Sequence, residues 1–305
     1  MLSVIIPAYN EEEYIRKVCL ALDTTLAKNH IDYEMIFVDD GSADNTAKEI
    51  DRLVFENKNI CGIHFSRNFG KDAAIYAGLE KARGRCCVIM DCDLQHPPEK
   101  IPEMYNLWKS GYEIVEGVKT RRGKESKIKA LCAKTFYQLM SNAVHTDMHN
   151  ASDFKLLDKK VVDVLIAMPE KKAFFRGLSS WVGFKKTTVG FEVKERVQGN
   201  SKWSVTGLIR YAAENITAFS DAPLKIMIPA GGAMISGALF VGICSAFFRI
   251  NSQILSALIM LSGGIILLSL GIIGLYLKKL CEELNGRPRY IISEICDKRN
   301  RQNPF

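Results

Sequence analysis

The sequence predicts an α/β protein in which a largely parallel sheet is followed by two membrane-crossing helices. Short apolar runs alternate with helical runs of about 10–15 residues over the first part of the chain, which is typical of a doubly wound sheet. Polar side chains directly follow several of these apolar runs. Two later runs, residues 226–248 and 254–277, contain no Asp, Glu, Lys or Arg.

The apolar runs of the first part predict strands separated by helices. The predicted strands are Ser3–Pro7, Tyr33–Val38, Cys61–Phe65, Cys86–Met90 and Glu113–Glu116. Helices are expected over residues 11–27, from the capping sequence Asp44-Asn45-Thr46 onward, over 72–82, and from Pro97-Pro98 onward, because Asp and Asn favour a helix N-cap and Pro its first turn.

Polar clusters follow the first four predicted strands. They are Asn10-Glu11, Asp39-Asp40, Arg67-Asn68 and Asp91-Cys92-Asp93. In open parallel sheets ligands bind beyond the carboxyl ends of the strands, so these clusters predict one site. Asp91 and Asp93 offer the hard oxygen donors that suit Mg²⁺ or Mn²⁺ held against a diphosphate. The alternatives are N-capping by these two residues and an ordinary turn role for Asp40.

Several function classes are disfavoured by motifs that the sequence lacks. There is no Gly-x-Gly-x-x-Gly after the first strand and no Gly-x-x-x-x-Gly-Lys-Ser/Thr, which disfavours a dinucleotide-binding fold and a P-loop NTPase. None of the nine cysteines forms a Cys-x-x-Cys pair. Thiolate ligation of zinc by Cys86, Cys87 and Cys92 is an alternative to the favoured interpretation, in which they are small buried apolar residues.

The chain is basic, with a net charge of +7 and a basic run from Lys119 to Lys134. Nucleic acid is not the expected partner, because the run lacks interleaved aromatic side chains on which bases stack. Anionic lipid headgroups and phosphate-bearing substrates both favour nearby Lys and Arg. A solvated helix face is the alternative for most of these charges.

Residues 226–248 and 254–277 are each long enough to cross a hydrocarbon core of about 30 Å. Two buried core helices are the alternative. Only residues 249–253 separate the runs, which predicts a tight hairpin, and their glycines permit close helix packing or a homo-oligomer. More Lys and Arg residues flank the outer ends of the hairpin than lie in its turn, where Arg249 stands. The larger part of the chain is therefore expected on the cytoplasmic side. The flanking residues are Arg210, Lys225, Lys278, Lys279, Arg287 and Arg289.

The expected organisation is therefore a multi-pass protein of the cytoplasmic (inner) membrane. Residues 1–220 form the cytoplasmic domain, 221–280 the transmembrane hairpin and 281–305 a cytoplasmic tail. Residues 203–220 have apolar side chains at helical spacing, which predicts a helix on the membrane surface or one buried against the domain. The N-terminus lacks a basic segment, and Pro7 interrupts its apolar run, so it is interpreted as a strand and not as a signal peptide.

Six segments in order resemble family 2 glycosyltransferases, and most closely the branch that acts on polyprenyl phosphates. These segments are Val4–Glu12, Val38–Thr46, Arg67–Lys71, Asp91–Pro98, Ser152–Asp158 and Arg196–Trp203. The resemblance covers nearly the whole chain, including the hairpin. It implies a type A glycosyltransferase fold that binds a nucleotide-diphosphate sugar.

The resemblance also implies roles for individual residues. Pro7, Tyr9, Glu11, Val38 and Asp40 would hold the base and ribose. Asp91, Asp93 and Gln95 would hold the metal, Mg²⁺ or Mn²⁺, and the diphosphate; Lys119, Arg196 and Lys202 would contact phosphates. Asp93 and Asp153 are the catalytic candidates, and Asp153 stands where the family places a base. A phosphate monoester with a second pKa of about 6 needs little deprotonation, so Asp153 orienting the acceptor or the metal is an equal alternative.

The reaction implied is the metal-dependent, inverting transfer of one sugar from a nucleotide to a polyprenyl phosphate. Arg176 and Trp181 do not reproduce the Gln-x-x-Arg-Trp of processive synthases, so polymerisation is not expected. A glycan or protein acceptor and a non-enzymatic membrane module remain alternatives. A nucleotidyltransferase is disfavoured, because the Gly-rich loop expected after its first strand is missing. The sugar, the nucleotide and the polyprenol stay open.

Overall fold

The structure is a computed structural model that describes residues 1–121, 152–170, 174–192, 222–247 and 252–298. The chain divides into two compact units. One comprises residues 1–202 together with 288–305, and the other comprises residues 203–287. The described residues of the first unit hold a sheet with flanking helices, and those of the second hold two long helices.

The strands are β1 Leu2–Ala8, β2 Tyr33–Asp39, β3 Ile60–Phe65, β4 Cys86–Ile89, β5 Ile114–Arg121, β6 Lys155–Asp158, β7 Lys186–Glu192 and β8 Ile292–Asp297. The helices of the first unit are α1 Glu12–Lys28, α2 Thr46–Glu56, α3 Lys71–Lys81, α4 Ile101–Lys109, α5 Lys159–Ala167 and α6 Phe175–Trp181. A short 3₁₀ turn, Pro98–Lys100, precedes α4. The second unit contains α7 Ala222–Phe247 and α8 Ser252–Leu284.

The strands form one sheet in the order β7-β5-β6-β4-β1-β2-β3-β8. β4, β1, β2 and β3 are parallel, as are β5 and β7, whereas β6 and β8 run antiparallel to their neighbours. The predicted α/β architecture with a largely parallel sheet is therefore confirmed. The chain leaves β1 toward β3 and returns to β4 on the other side, so the strand order reverses between β1 and β4, where ligands bind in such sheets.

The central strands are buried on both faces, because helices cover both sides of a parallel sheet. Every residue of β1 is buried. α1 contributes a single apolar stripe at helical spacing, formed by Ile15, Val18, Leu22 and Leu26, none of which is exposed. Burying each such side chain stabilises the fold by about 1.5–3 kcal/mol. The core thus holds the carboxyl ends of β1, β2 and β4 in fixed register.

The five predicted strands are present, but three further strands were not predicted. β5 is longer than predicted and continues from Glu116 to Arg121. Within the predicted tail, residues 281–305, the segment Ile292–Asp297 forms β8 and pairs with β3 at the edge of the sheet. Its sequence, ISEICD, is short and half exposed, so no apolar pattern marks it. α8 likewise extends past the predicted end of the hairpin to Leu284.

The two helices of the second unit differ in whether they are long and apolar enough to cross a membrane. In α8, residues Leu261–Lys278 are long and apolar enough to cross a membrane, and none of this stretch is buried. The apolar stretch of α7, Pro229–Val241, is shorter. Within the described residues one helix thus meets the criterion, and two crossing helices are not confirmed. The predicted surface helix, residues 203–220, and Arg249 in the turn lie outside the described residues.

Candidate functional site

The loops that follow β1 and β2 are joined by reciprocal hydrogen bonds. The Asn10 amide donates to Ser42 Oγ at 2.9 Å, and the Ala43 amide donates to Asn10 Oδ1 at 2.9 Å. The Glu11 amide donates to Thr46 Oγ1 at 2.9 Å. Asn10 has a φ of 54°, which Asn tolerates better than most residues. These bonds make the two loops one rigid wall at the carboxyl edge of the sheet.

Asp40 and Gly41 connect that wall to the loop after β3. The Asp40 carboxylate is buried and accepts hydrogen bonds from the amides of Phe69, at 2.6 Å, and Gly70, at 3.0 and 3.1 Å. Gly41 has a φ of 65°, and a Cβ there would lie 2.4 Å from the backbone carbon of Arg67. Burial raises the pKa of Asp40 to about 6, although the two amides act in the opposite direction. Asp40 therefore shapes the loop that precedes α3.

Lys71, the first residue of α3, extends from this loop to two carboxylates. Its Nζ lies 2.6 Å from Asp91 Oδ1 and 2.8 Å from Asp153 Oδ2. Burial alone would lower the pKa of Lys71, but the charges of Asp153 and Asp91 outweigh it and raise the pKa above its usual value. The ammonium group is therefore fixed in its charged form between the two acids.

Strand register explains why Asp91 and Asp153 meet. β6 is antiparallel to β4, and Ile89 near the end of β4 pairs with Lys155 at the start of β6. Asp91 follows that end of β4, and Asp153 precedes that start of β6. Two acids 62 positions apart in the chain are thereby brought to one ammonium group at the carboxyl edge.

Asp91 and Asp93 lie in a turn that a hydrogen bond to His96 stabilises. The Asp91 amide donates to His96 Nδ1 at 3.1 Å, and the Gln95 amide donates to Asp93 Oδ1 at 3.1 Å. The His96 ring is buried and stacks on Phe154, with ring centroids 5.0 Å apart. Burial lowers the pKa of His96, which keeps the ring neutral and able to accept. His96 thus has a structural role in this turn, and the Asp93 side chain also caps it.

Arg176, on α6, forms a bidentate ion pair with Asp153. Its Nε and Nη2 lie 3.0 and 2.8 Å from the two carboxylate oxygens of Asp153. The Asp153 side chain is 11% exposed. Burial would raise its pKa, but Arg176 and Lys71 outweigh burial by charge and hydrogen bonding and hold the pKa well below its usual value. Asp153 is therefore a persistent carboxylate with low proton affinity.

Asp72 is a third acid at this cluster. Its Oδ1 accepts a hydrogen bond from the Phe175 amide at 3.3 Å, next to Arg176 in the chain. Burial and the negative charge of Asp153 raise the pKa of Asp72 to about 7, although Lys71 and Arg176 act in the opposite direction. Asp72 thus joins the first turn of α3 to the first turn of α6.

A second ion pair fixes the start of β6, directly after Asp153. Lys155 has no exposed surface, and its Nζ lies 3.2 Å from Glu116 Oε1 and 2.9 Å from Ser179 Oγ. Glu116 Oε1 also accepts from the Ser152 amide at 3.3 Å. Removing one partner of a buried pair is strongly destabilising. This network therefore holds residues 152–155 against β5 and α6.

The donors around Asp91 fit a divalent cation. Asp91, Asp93 and Gln95 provide carboxylate and amide oxygens within one turn, and all three are only partly buried. Oxygen donors at such a turn suit Mg²⁺ or Mn²⁺. The ammonium group of Lys71 against Asp91 shows that this position already attracts positive charge. The residues therefore fit the metal that the sequence predicts.

The remaining predicted residues are distributed around the same edge. Pro7 and Val38 pair across β1 and β2, and the Tyr9 side chain beyond them is 42% exposed. Lys119 lies near the carboxyl end of β5. Arg196 and Lys202 lie outside the described residues.

The cysteines near the acid motif behave as the favoured interpretation expects. Cys86, Cys87 and Cys92 are buried, and burial raises the pKa of each thiol. The described residues contain one group of metal-ligating side chains that include a cysteine, and it involves none of these three.

Sequence reasoning missed Lys71, Arg176 and Asp72 as members of the site. Lys71 lies in the segment Arg67–Lys71, for which the resemblance implies no individual role, and Arg176 does not fit the Gln-x-x-Arg-Trp motif. No spacing rule links these residues to Asp153. A charged residue directly after the Phe69-Gly70 turn was the available signal for Lys71.

Comparison with known proteins identifies the family. Residues 3–165 match the model of glycosyl transferase family 2. This chain belongs to that family. It is a glycosyltransferase, and the α/β, type A-like fold is the one the resemblance implied.

Relatives align along nearly the whole chain. An uncharacterised glycosyltransferase of Synechocystis is 37% identical over 306 residues, covering 96% of this chain and 95% of the relative. A prophage bactoprenol glucosyl transferase homologue of Escherichia coli is 32% identical and covers 96% and 99%. Glucosyl-3-phosphoglycerate synthase of Mycobacterium tuberculosis, crystallised with Mn²⁺ and UDP-glucose, is similar in structure with a TM-score of 0.49 and 19% identity, covering 71% and 77%.

Proposed function

We propose that this glycosyltransferase transfers one sugar from a nucleotide-diphosphate sugar to the phosphate of a membrane polyprenol. The observation that carries the proposal is the 32% identity to bactoprenol glucosyl transferases over 95% or more of both chains. That likeness extends beyond the catalytic residues into the apolar C-terminal helices, which the family model does not include. The exposed apolar stretch in α8 supports a lipid acceptor, because it would keep the enzyme at the bilayer.

The wall after β1 and β2 is proposed to hold the nucleoside. Pro7, Tyr9, Glu11 and Val38 lie on these two strands or directly after β1, and the exposed Tyr9 ring offers a face for stacking. The buried carboxylate of Asp40 is already engaged by two amides. Its proposed contribution to base binding therefore includes the shape of the loop that it holds.

The turn after β4 is proposed to hold the diphosphate and a metal. Asp91, Asp93 and Gln95 would ligate Mg²⁺ or Mn²⁺, whose charge would stabilise the leaving diphosphate. Lys119, Arg196 and Lys202 are proposed to add positive charge at the phosphates. Of these residues, Lys119 near the carboxyl end of β5 lies at the same edge of the sheet as the proposed oxygen donors.

In the proposed reaction, an acceptor phosphate oxygen forms a bond to the anomeric carbon while the bond from that carbon to the nucleotide diphosphate breaks. A single in-line displacement inverts the anomeric configuration. A phosphate monoester has a second pKa of about 6 and is largely dianionic at neutral pH, so it attacks without giving up a proton to the protein.

Asp153 is proposed to act by positioning cations and not by accepting a proton. Its carboxylate is bonded to Arg176 and Lys71, and these two cations hold its pKa well below the usual range. A strongly stabilised carboxylate is a weak base. The fixed guanidinium and ammonium groups would instead align the acceptor phosphate, since Arg binds phosphate in a geometry similar to that of carboxylate.

The membrane arrangement is also part of the proposal. We propose that α7 and α8 both cross the cytoplasmic membrane as a hairpin, with residues 1–220 on the cytoplasmic side. The absence of Asp, Glu, Lys and Arg from residues 226–248 supports α7 as the second crossing helix. The same fold acting on a glycan or protein acceptor is the alternative that the experiment below separates.

The test uses the full-length protein in detergent with Mg²⁺, undecaprenyl phosphate and a panel of radiolabelled UDP- and GDP-sugars. The expected result is label in the organic phase from one donor, lost in Asp93→Asn and retained in Asp163→Asn. Asp163 is an exposed acid on α5 that pairs with Lys159, which makes it a matched control. Nucleotide-sugar binding with label in no lipid would contradict the proposed acceptor.

A further inference from the structure

A cluster of metal-ligating side chains lies at the opposite side of the sheet's parallel core from Asp153, on β3, β8 and α2. It consists of Asp51 on α2, His64 on β3 and Cys296 on β8, whose ligand atoms all lie within 4.8 Å of one another. His64 Nε2 is 3.2 Å from Asp51 Oδ1. None of these residues belongs to the proposed glycosyl-transfer site. The cluster therefore needs its own explanation.

Strand pairing brings these three residues together from distant parts of the chain. In the β3–β8 register, Gly62 pairs with Cys296 and His64 pairs with Glu294. Cys296 is therefore diagonal to His64 on the same face. Gly62 leaves the position opposite Cys296 open, since a Cβ there would lie 2.7 Å from Ile50 and 3.4 Å from His64 Nε2. The glycine lets α2 approach closely enough to bring Asp51 to His64.

The imidazole of His64 is oriented as metal-binding imidazoles are. Its Nδ1 lies 3.4 Å from Asp39 Oδ2, and Asp39 is itself fixed by the Ser42 amide, which donates to Oδ1 at 3.0 Å. A histidine that ligates a metal usually gives its other N–H to a carboxylate, which directs the free lone pair to the ion. Here that arrangement presents Nε2 to Asp51 and Cys296. Both His64 and Asp39 are buried, so this orientation is maintained by packing.

We propose that Asp51, His64 and Cys296 bind a zinc ion that joins β8 to β3 and α2. One nitrogen, one sulfur and one oxygen donor form a set that zinc accepts, with a fourth position left for water or for Glu294. Glu294 Oε1 lies 3.6 Å from the Cys296 sulfur. Tetrahedral zinc requires ligand atoms roughly 3.3–3.6 Å apart, so small side-chain rotations suffice.

Binding would change the protonation of the cluster in a defined way. A zinc–sulfur bond forms as the thiol proton leaves to solvent. His64 would ligate through an unprotonated Nε2, so any proton on that atom also leaves to solvent. No redox step is involved.

The proposed ion would connect β8 to the wall formed by the loops after β1 and β2. β8 follows α8 in the chain, and Asp39 ends β2 immediately before Asp40. The ion would thus fix the edge strand to the element that carries the loop of the proposed nucleoside site. The expected consequence is a thermal stability that depends on zinc and not on Mg²⁺.

The experiment uses the full-length protein in detergent, with Asp93→Asn in the background to weaken cation binding at the proposed catalytic turn. After treatment with a chelator and dialysis against Zn²⁺, metal content is measured by mass spectrometry. Co²⁺ is then substituted, because a cobalt–thiolate bond gives charge-transfer absorption in the near ultraviolet that carboxylate sites lack. One zinc per chain and this absorption are expected.

Variants separate the proposed site from other thiols and from misfolding. Cys296→Ser should remove the absorption and most of the bound zinc, whereas Cys281→Ser, which alters an exposed cysteine, should change neither. Asp39→Asn should weaken zinc binding by roughly 10- to 100-fold. Equal melting temperatures of the metal-free proteins show that Cys296→Ser is folded. The proposal would be overturned if the protein that keeps all its cysteines showed no cobalt absorption. It would also be overturned if Cys296→Ser left the zinc content unchanged.

Discussion

The ion pair between Arg176 and Asp153 provides the sharpest prediction about the proposed catalytic site. In Arg176→Gln the guanidinium is lost, and Asp153 keeps Lys71 as its partner, 2.8 Å away. The amide of Gln cannot replace both of the hydrogen bonds that Arg176 Nε and Nη2 donate to the Asp153 carboxylate. The acceptor phosphate would then lose one of the two cations proposed to align it.

The size of the effect follows from the bonds that are lost. Hydrogen bonds to charged groups contribute about 1.5–3 kcal/mol, and breaking a buried ion pair costs about 3–5 kcal/mol when one charge is left alone. Asp153 is not left alone, and Arg176 is 22% exposed, so we expect a loss of about 2–3 kcal/mol. If the acceptor phosphate loses a stabilising interaction of this size in the transition state, kcat for transfer falls roughly 30- to 150-fold, at about 1.36 kcal/mol for each tenfold change.

The assay is steady-state transfer of sugar to lipid, with kcat and KM for the acceptor measured separately. Arg176→Lys keeps the charge but not the planar fork, so its loss should be smaller than that of Arg176→Gln. Arg52→Lys changes an exposed arginine on α2 and serves as the matched control. A folded Arg176→Gln protein within about threefold of the wild-type kcat would refute the role assigned to this ion pair.

Three further outcomes are expected. The pKa of Asp72 is about 7 in the folded protein, against 3.8 in the unfolded chain. As pH rises from about 4 to 7, the unfolded chain loses this proton before the folded protein does, so stability and melting temperature fall. Asp72→Asn should flatten this fall in melting temperature. Gly41→Ala should lower the melting temperature far more than Gly286→Ala: both glycines have a φ of 65°, but only the first meets a neighbour within 4 Å in the described residues. Chelation of divalent cations should abolish transfer and Mg²⁺ or Mn²⁺ should restore it, whereas full activity in chelator would contradict the metal role of Asp91, Asp93 and Gln95.

Local patterns in the sequence predicted the parallel core well. A buried parallel strand is a nearly continuous apolar run, and Cys86–Ile89 followed by Asp91 shows this without any knowledge of neighbours. The same logic correctly placed the polar clusters of β1, β2 and β4 at one edge. These features depend on residues close together in the chain, which is why the sequence alone indicates them.

Features that depend on long-range pairing were not predictable in this way. Asp153 meets Asp91 only because β6 is antiparallel to β4 in one particular register. Lys71 and Arg176 converge on Asp153 from two different helices. β8 was missed because an edge strand of six residues with exposed polar side chains has too little apolar pattern to be distinguished from a tail.

The proposed function depends above all on the acceptor being the phosphate of a membrane lipid. The most direct measurement offers the purified enzyme, with its identified donor and Mg²⁺, undecaprenyl phosphate and undecaprenol in parallel reactions, together with a cell-envelope glycan fraction. Labelled lipid is expected from undecaprenyl phosphate alone, with the label lost in Asp93→Asn. Label in the glycan or in protein, with undecaprenyl phosphate left unmodified, would contradict it.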